Sequence, residues 1–201
     1  RVLFRSHMSF LTSRYFAHAL LMLTAFIWGV SFVFQTTGMK DVGAMGFQFY
    51  RFLAGGIALL PLAMMEYRKN PFWKQQDKIS RVNVLWGGLG LGVFMFAGSS
   101  LQQIALHTTS VANAAYLTTL YVPLVPVFGL IFFGIHLPWM RWLAVLVFMA
   151  GSWLMTGTDL GQISYGDWLV VSSAIFWAFH IMLVGALVGL TKMPFQLAFI
   201  Q

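Results

Sequence analysis

Long apolar runs alternate with short polar stretches along the whole chain. Six runs approach the length of about 20 residues that a helix needs to cross a bilayer, and a seventh begins near Phe195. Strands of a membrane barrel are about half that length and alternate strictly in polarity, which these runs do not. The pattern therefore predicts membrane-spanning helices at residues 17–37, 44–65, 84–106, 112–133, 139–156 and 168–190.

The composition also indicates a lipid environment. Of the 201 residues, 59% are hydrophobic and 8% are charged, whereas a soluble domain carries roughly 25% charged residues. So few charges cannot cover a surface that faces water. The chain has no cysteine, which excludes disulfide bonds, thiolate metal ligands and cysteine nucleophiles. We therefore expect an all-α, polytopic transmembrane helical bundle whose main partner is the lipid bilayer.

Basic residues concentrate on one side of the predicted bundle. If the chain zigzags, this side holds Arg14, the basic loop 68–81, Arg141 and Lys192, while the other side has Lys40 alone. Because basic loops stay in the cytoplasm, this asymmetry predicts a cytoplasmic N-terminus, in a bacterial inner membrane. It also accounts for the net charge of +7. The basic loop is too short to build a nucleic-acid-binding face, so we expect no nucleic-acid partner.

Similar segments occur in the first and sixth spans. The segments "TAFIWGVSFVF" and "SAIFWAFHIML" align Trp28 with Trp177 and Ser31 with His180. Five spans separate the two starts, and because five is odd, the two segments cross the membrane in opposite directions. Inverted repeats are typical of secondary transporters, whose substrate site lies near the midplane between the two halves. The sequence therefore predicts an inverted five-helix repeat.

Several segments resemble the EamA-type branch of the drug/metabolite transporter superfamily. They are "WGVSFVF" in the first span, "FYRFLAGG" in the second, "ALHTTSVANAAYLTTLYVPLVPVFG" through the fourth and "GDWLVVSSAIFWAFHIML" at the start of the sixth. The resemblance covers residues 16–190. It implies ten helices in two inverted halves, both termini in the cytoplasm, and export of the solute. Members of this family usually carry a glutamate at the turn after the fourth helix, where this chain has His136.

The repeat and the resemblance divide the chain into three parts. Residues 1–13 form a tail, either non-native or cytoplasmic, because "RVLFRS" precedes the first methionine. Residues 14–158 form the first five-helix repeat, and residues 159–201 begin a second repeat that is incomplete. The sequence ends inside an apolar run, so we expect a fragment, truncated after about six helices, of a longer protein.

The fourth span carries polar residues and prolines within an uncharged apolar run. Asn113 and Tyr116 lie three positions apart and share a helix face. Because an amide that faces lipid without a partner is costly, Asn113 should face protein or a watery cavity. The pair could line a substrate path, or Asn113 could cap or bond a neighbouring helix while Tyr116 lies in the interfacial belt. Pro123 and Pro126 should kink the helix, as a gating hinge or as a static bend.

Arg51 is the only charged residue in the interior of a predicted span, since Arg141 lies in the first turn of the span 139–156. It could attract an anionic group of a substrate, or it could snorkel outward or cap helix carbonyls. Trp28 and Trp177 could form the aromatic walls of a pocket for an amphipathic substrate, or they could be packing residues. His180, at the position equivalent to Ser31, could titrate near neutral pH or could also serve packing.

Four glutamines near the outer ends of the first three spans predict an outer vestibule or an interface: Gln35, Gln48, Gln102 and Gln103. The candidates for the substrate path are Trp28, Ser31, Gln35, Arg51, Gln103, Asn113, Tyr116, Trp177 and His180. The segment "GGLGLG" lacks the third glycine of a nucleotide-binding loop. Gly88 with Gly92, and Gly185 with Gly189, instead predict close helix packing.

These features favour a secondary transporter that moves a small organic metabolite, such as an amino acid or a drug-like solute, by alternating access. No predicted span contains an aspartate or glutamate, and no motif for metal-dependent or nucleophilic catalysis occurs. We therefore expect no enzyme activity, no cofactor and no metal site. An integral-membrane enzyme and a non-transporting scaffold or channel subunit are the alternatives. The sequence leaves open the substrate, the energy coupling and the oligomeric state.

Overall fold

The computed structural model describes the backbone of residues 2–69, 78–156 and 163–201, and the side chains of residues 15–69, 84–154 and 163–201. These parts of the chain are helical and contain no strand. The helices are α1 (Val2–Lys69), α2 (Lys78–Ala105), α3 (Val111–Thr118), α4 (Tyr121–Phe133), α5 (Trp139–Thr156), α6 (Tyr165–Thr191) and α7 (Pro194–Ile200). The predicted all-α class is confirmed.

Helix α1 contains the first two predicted spans and reverses at Gly43. This glycine has φ 72° and ψ 168°, a region that only glycine adopts without strain. On either side of the reversal, the ring of Phe47 packs directly against Gly38. We call residues 15–42 arm 1 and residues 44–69 arm 2. The helix begins at Val2, inside the predicted tail.

Four stretches of the described residues are long and apolar enough to cross a membrane: Tyr15–Lys69, Val84–Ala105, Val111–Phe133 and Tyr165–Thr191. The apolar part of α5, Trp139–Leu154, is shorter. The first of these stretches holds both arms, so the six predicted spans are present, with α7 beginning near the predicted seventh.

Helices α2 and α6 lie side by side in opposite directions. Near the start of α2, Gly87 faces the side chain of Leu187. Further along α2, Gly98 faces Trp177. At the end of α2, the carbonyl of Ala105 lies against Gly166, in the first turn of α6. Because the contacts move backwards along α6 as they move forwards along α2, the pair is antiparallel.

Arm 1 runs parallel to α2 and therefore opposite to α6. The ring of Trp28 meets that of Trp177, which lies beside Gly98. About two turns later on arm 1 and one and a half turns later on α2, the backbone carbonyl of Gln35 accepts a hydrogen bond from Gln103. The first and sixth spans thus cross in opposite directions, as the inverted repeat predicts.

The two ends of the bundle differ in charge. The inner end, where arm 2 and α6 finish and α5 begins, carries Arg68, Lys69, Arg141 and Lys192, with Glu66 as its carboxylate among the described residues. At the opposite, outer end lie Lys40, Asp41 and Asp167. Arg14 and most of the basic loop 68–81 lie outside the residues whose side chains are described, and so does Asp159.

Apolar side chains form one buried cluster at each end. The cluster at the outer end joins arm 1, α2, α3 and α6 and consists of Phe32, Met39, Ala105, Leu106, Ala114 and Val170. The cluster at the inner end joins α2 to α7 through Val84, Leu91 and Leu197. Helix α7 also packs against arm 2, where Gln196 donates its side-chain amide to the carbonyl of Ala63 at 2.7 Å.

The fourth predicted span is divided into two helices. Helix α3 ends at Thr118 and α4 begins at Tyr121. Pro123 lies in the first turn of α4 and Pro126 lies inside it. Because proline has no N–H, Pro123 and Pro126 cannot donate the helical hydrogen bonds that would run to the carbonyls of Thr119 and Val122. Gly134, with φ 63° and ψ 22°, ends α4 in a left-handed cap.

The two glycine pairs have different environments. A side chain on Gly88 would lie 2.6 Å from Ile200, and one on Gly92 would lie 2.9 Å from the carbonyl oxygen of Gln201. Close packing is therefore confirmed for this pair. For Gly185 and Gly189 the prediction is wrong within the described residues, since nothing lies within 4 Å of either Cβ position. These two glycines face open space instead.

Candidate functional site

An aromatic cluster lies where arm 1 crosses α6. The rings of Trp28 and Trp177 meet edge to face with centroids 5.6 Å apart, and the ring of His180 lies 5.8 Å from that of Trp177. Trp177 and His180 are one turn apart on α6, so both rings are on the same helix face. The structure therefore brings together three of the residues predicted for the substrate path.

A chain of polar side chains continues from this cluster along arm 1. The Ser31 hydroxyl donates to the carbonyl of Trp28 at 2.6 Å and accepts from the Gln35 amide at 3.2 Å. The side-chain amide of Gln103 reaches the Gln35 carbonyl at 3.4 Å and the Met39 sulfur at 3.2 Å. These contacts join arm 1 to α2. We call Trp28, Ser31, Gln35, Gln103, Trp177 and His180 the polar track.

The polar track contains hydrogen-bonding atoms that are buried and have no partner among the described residues. They include the side-chain oxygens of Gln35 and Gln103 and the indole nitrogen of Trp177. Gln103 is 0% exposed and Gln35 is 3% exposed. A buried amide or indole without a partner costs about 1–3 kcal/mol. Atoms of this kind therefore indicate a place where water or a solute can complete the hydrogen bonds.

Gln48 and Ser100 also have buried polar side-chain atoms, although they lie outside the polar track. Both polar atoms of the Gln48 side chain and the Ser100 hydroxyl are buried without a partner among the described residues. Gln48 was predicted only as a vestibule or interface residue, and Ser100 was missed. The signal for Ser100 was a serine pair, Ser99 and Ser100, inside an otherwise apolar span.

Gln102, next to Gln103, faces a different environment. Its amide donates to the Thr118 hydroxyl at 2.6 Å, and this hydroxyl in turn donates to the carbonyl of Ala114 at 2.6 Å. Gln102 therefore ties α2 to α3 at the break in the fourth span. It is a structural amide, whereas the neighbouring Gln103 retains a free acceptor.

A second polar group closes the outer end of the bundle. Asp167 accepts hydrogen bonds from the Thr109 hydroxyl and, at 2.8 Å, from the backbone N–H of Ser164. The Ser164 hydroxyl accepts in turn from the backbone N–H of Asp167, which completes a capping box at the start of α6. This carboxylate links α6 to the loop after α2, a contact that the sequence did not reveal.

Asn113 and Tyr116 lie in α3, away from the aromatic cluster. The backbone N–H of Asn113 donates to the capping hydroxyl of Ser110 at 3.1 Å, and its side chain interacts with the Asp167 carboxylate. Tyr116 is half-buried, and its carbonyl accepts from the Thr119 hydroxyl at the helix break. The geometry therefore places Asn113 in the outer polar group.

Arg51 lies on arm 2 and is half-buried. Its guanidinium carbon is 5.1 Å from the centre of the ring of the adjacent Phe52. Phe52 lines a shallow groove between arm 2 and Phe199 of α7. The role of Arg51 in substrate binding stays a prediction, as does that of Pro123 and Pro126 in gating.

Comparison with known proteins gives a family. The model of the EamA-like transporter family matches residues 15–157. Two proteins of Archaeoglobus fulgidus, each described as an uncharacterized transporter, are similar to this chain. One is 25% identical over 188 residues, which cover 94% of this chain and 54% of the relative. The other is 31% identical over 176 residues, which cover 83% of this chain and 56% of the relative.

The chain spans about half the length of the curated relatives it matches. No solved structure matches it. The family match extends from the start of arm 1 to the end of α5 and thus covers more than half of the sequence. Together with the apolar helices, this match shows that the chain is a membrane protein and belongs to the EamA-like transporter family.

Proposed function

We propose that the protein is a secondary transporter that moves a small organic solute by alternating access, along a path that passes between arm 1, α2 and α6. The observation that carries the proposal is the set of buried, unpartnered hydrogen-bonding atoms in the polar track. Such atoms are costly in an apolar surrounding. Their cost is offset when a solute or water enters and binds them.

The aromatic and polar parts of the track suggest an amphipathic metabolite, such as an amino acid or a drug-like compound. The rings of Trp28, Trp177 and His180 offer flat apolar surfaces with polar edges. The amides of Gln35 and Gln103 offer acceptors. Export from the cell is the direction we propose, since the family resemblance implies it.

In the described state the track is closed at its outer end. Phe32 and Met39 are 3% and 5% exposed, and Ala105 and Ala114 are fully buried. A solute path must therefore open by parting arm 1 and α2 from α6 at this end. The short α3 and the break before α4 lie beside this contact, which supports Pro123 and Pro126 as the bend that moves.

We propose that the inner end faces the cytoplasm, because it carries Arg68, Lys69, Arg141 and Lys192. The N-terminus then lies in the cytoplasm. The relatives are archaeal, and the assignment to a bacterial inner membrane stays a prediction.

The test compares two neighbouring glutamines in the complete protein. In Gln103→Leu, transport of labelled amino acids into membrane vesicles should fall about tenfold, the effect of losing about 1.4 kcal/mol of solute binding. Its melting temperature should fall less than that of Gln102→Leu, because Gln103 loses only a long contact to the Gln35 carbonyl at 3.4 Å and one to the Met39 sulfur, and its buried oxygen has no partner to lose. In Gln102→Leu, the melting temperature should fall because the bond to Thr118 is lost, while transport per folded molecule is retained.

The same two variants distinguish a transporter from a scaffold or channel subunit and from a membrane enzyme. A scaffold or channel subunit would show no solute-specific flux in either variant. A membrane enzyme would convert the labelled compound rather than release it unchanged, which chromatography of the vesicle contents detects. Equal transport by Gln103→Leu and the unaltered protein would remove the polar track from the solute path.

A further inference from the structure

A groove with a volume of about 830 Å³ lies between the hairpin of α4 and α5 and the face of α6, away from the polar track. One wall of the groove includes Phe94 and Phe179, whose rings stack with centroids 5.7 Å apart. Phe128 stacks behind Phe179 at 4.8 Å. The aromatic stack fixes the shape of this wall, so the groove is a formed feature rather than a gap between loosely packed helices.

The lining of the groove is hydrocarbon apart from one residue. Among the described residues that line it, Arg141 alone is charged, and the other side chains carry no hydrogen-bonding group. A polar metabolite would lose its hydrogen bonds to water on entering such a lining. An occupant must therefore have an apolar body, and its only polar attachment is an anionic group at Arg141.

The groove has free space for an elongated molecule at two places, beside Gly185 and at the inner end. Gly185 lines it, and nothing lies within 4 Å of the Cβ position of this glycine. At the inner end, Phe133 and Ile135 line the groove and are 67% and 54% exposed. Arg141 lies in the first turn of α5, at the inner end of the bundle.

We propose that this groove binds an anionic phospholipid of the inner leaflet, with its phosphate on Arg141 and one acyl chain along α6 past Gly185. Basic pockets between helices on the cytoplasmic side are suited to anionic headgroups. The choice of leaflet rests on the orientation proposed above. The lipid site is separate from the polar track, because the groove shares no residue with Trp28, Gln35, Gln103 or Trp177.

The experiment measures lipid binding to the complete purified protein by native mass spectrometry. The probes are phosphatidylglycerol and phosphatidylcholine with identical palmitoyl and oleoyl chains. We expect phosphatidylglycerol to bind about fivefold more tightly, the effect of one basic residue near an anionic lipid. Arg141→Gln should abolish this preference. Gly185→Leu should weaken both lipids, because the new side chain fills the groove.

Gly189→Leu is the matched control. Gly189 lies one turn after Gly185 on α6, also faces open space, and does not line the groove. The Gly189→Leu variant should bind both lipids as the unaltered protein does. The proposal is overturned if Arg141→Gln keeps the headgroup preference, or if Gly185→Leu and Gly189→Leu bind lipid equally. The second result would mean that another part of the complete protein fills the groove. Neither result depends on solute flux.

Discussion

Asp167 shows how one side chain can fix the end of a membrane helix. Its carboxylate accepts from Thr109 in the loop after α2 and from the N–H of Ser164 at the start of α6. A carboxylate in the first turn also interacts favourably with the positive end of the helix dipole. Both effects act at the outer end, where the described state is closed. Asp167 therefore holds α6 against α2.

We expect Asp167→Ala to destabilise the complete protein by about 1–2 kcal/mol, the usual effect of losing a capping side chain. The measurement is the melting temperature of purified protein in detergent, which should fall by several degrees. Asp41→Ala is the control, since Asp41 lies at the same end of the bundle and is exposed. If both variants have the same melting temperature, the hydrogen bonds of Asp167 do not stabilise the outer end of the bundle.

At the residue scale, the sequence predicted positions on helix faces and missed long-range partners. The alignment of the first and sixth spans paired Trp28 with Trp177, and the two rings are in contact. The bond between Thr109 and Asp167 joins residues 58 positions apart. No local pattern encodes such a pair, because it depends on how α2 and α6 pack. The difference between Gln102 and Gln103 arises in the same way, since it depends on whether Thr118 is opposite.

Gly43 determines the relation between the first two helices. Its φ of 72° with ψ of 168° turns arm 1 into arm 2. Nothing lies within 4 Å of its Cβ position. A larger residue is therefore disfavoured by the backbone conformation alone, and steric crowding plays no part.

Gly43→Ala should therefore lower the stability of the complete protein by about 1–3 kcal/mol, the usual strain of such a backbone region. Gly29→Ala is the matched control. Gly29 also has open space at its Cβ position, but it is inside a regular helix, where alanine is favoured over glycine by about 1 kcal/mol. Thermal unfolding should show opposite shifts for the two variants. Equal shifts would contradict the assignment of the reversal to Gly43.

At the element scale, the apolar runs predicted most helices well. The bounds of α5, Trp139–Thr156, are those predicted, because polar residues and a proline enclose that run. The two prolines of the fourth span predicted a distortion, and the helix is interrupted at Thr119 and Leu120, just before Pro123. Both residues keep right-handed helical angles, and backbone hydrogen bonds continue through them, so the interruption is a local tightening of the helix. The sequence could not specify its position, because this also depends on how the span packs against α2, where Gln102 bonds to Thr118.

At the scale of the whole molecule, the main feature is the direction in which each helix runs through the bundle. Arm 1 and α2 run from the inner to the outer end, and α6 runs back between them and α4. The sequence predicted this opposition, because an odd number of spans separates the two similar segments. It could not predict which side of α6 would hold the unpartnered polar atoms, since that depends on the rotation of each helix about its axis.

We propose that the polar track is reached alternately from the two sides of the membrane. This chain has no cysteine, so a Ser31→Cys variant can report access once any cysteine elsewhere in the complete protein has been replaced by serine. The measurement is the rate of its reaction with a membrane-impermeant thiol reagent in right-side-out and in inverted vesicles of the complete protein. Ser173→Cys, a matched change at a fully buried serine of α6, is the control.

We predict that the cysteine at position 31 reacts from both sides, and that a transported solute slows both reactions. The cysteine at position 173 should react from neither side. If position 31 is as unreactive as position 173 in both kinds of vesicle, the polar track is a static packing layer and the account is contradicted.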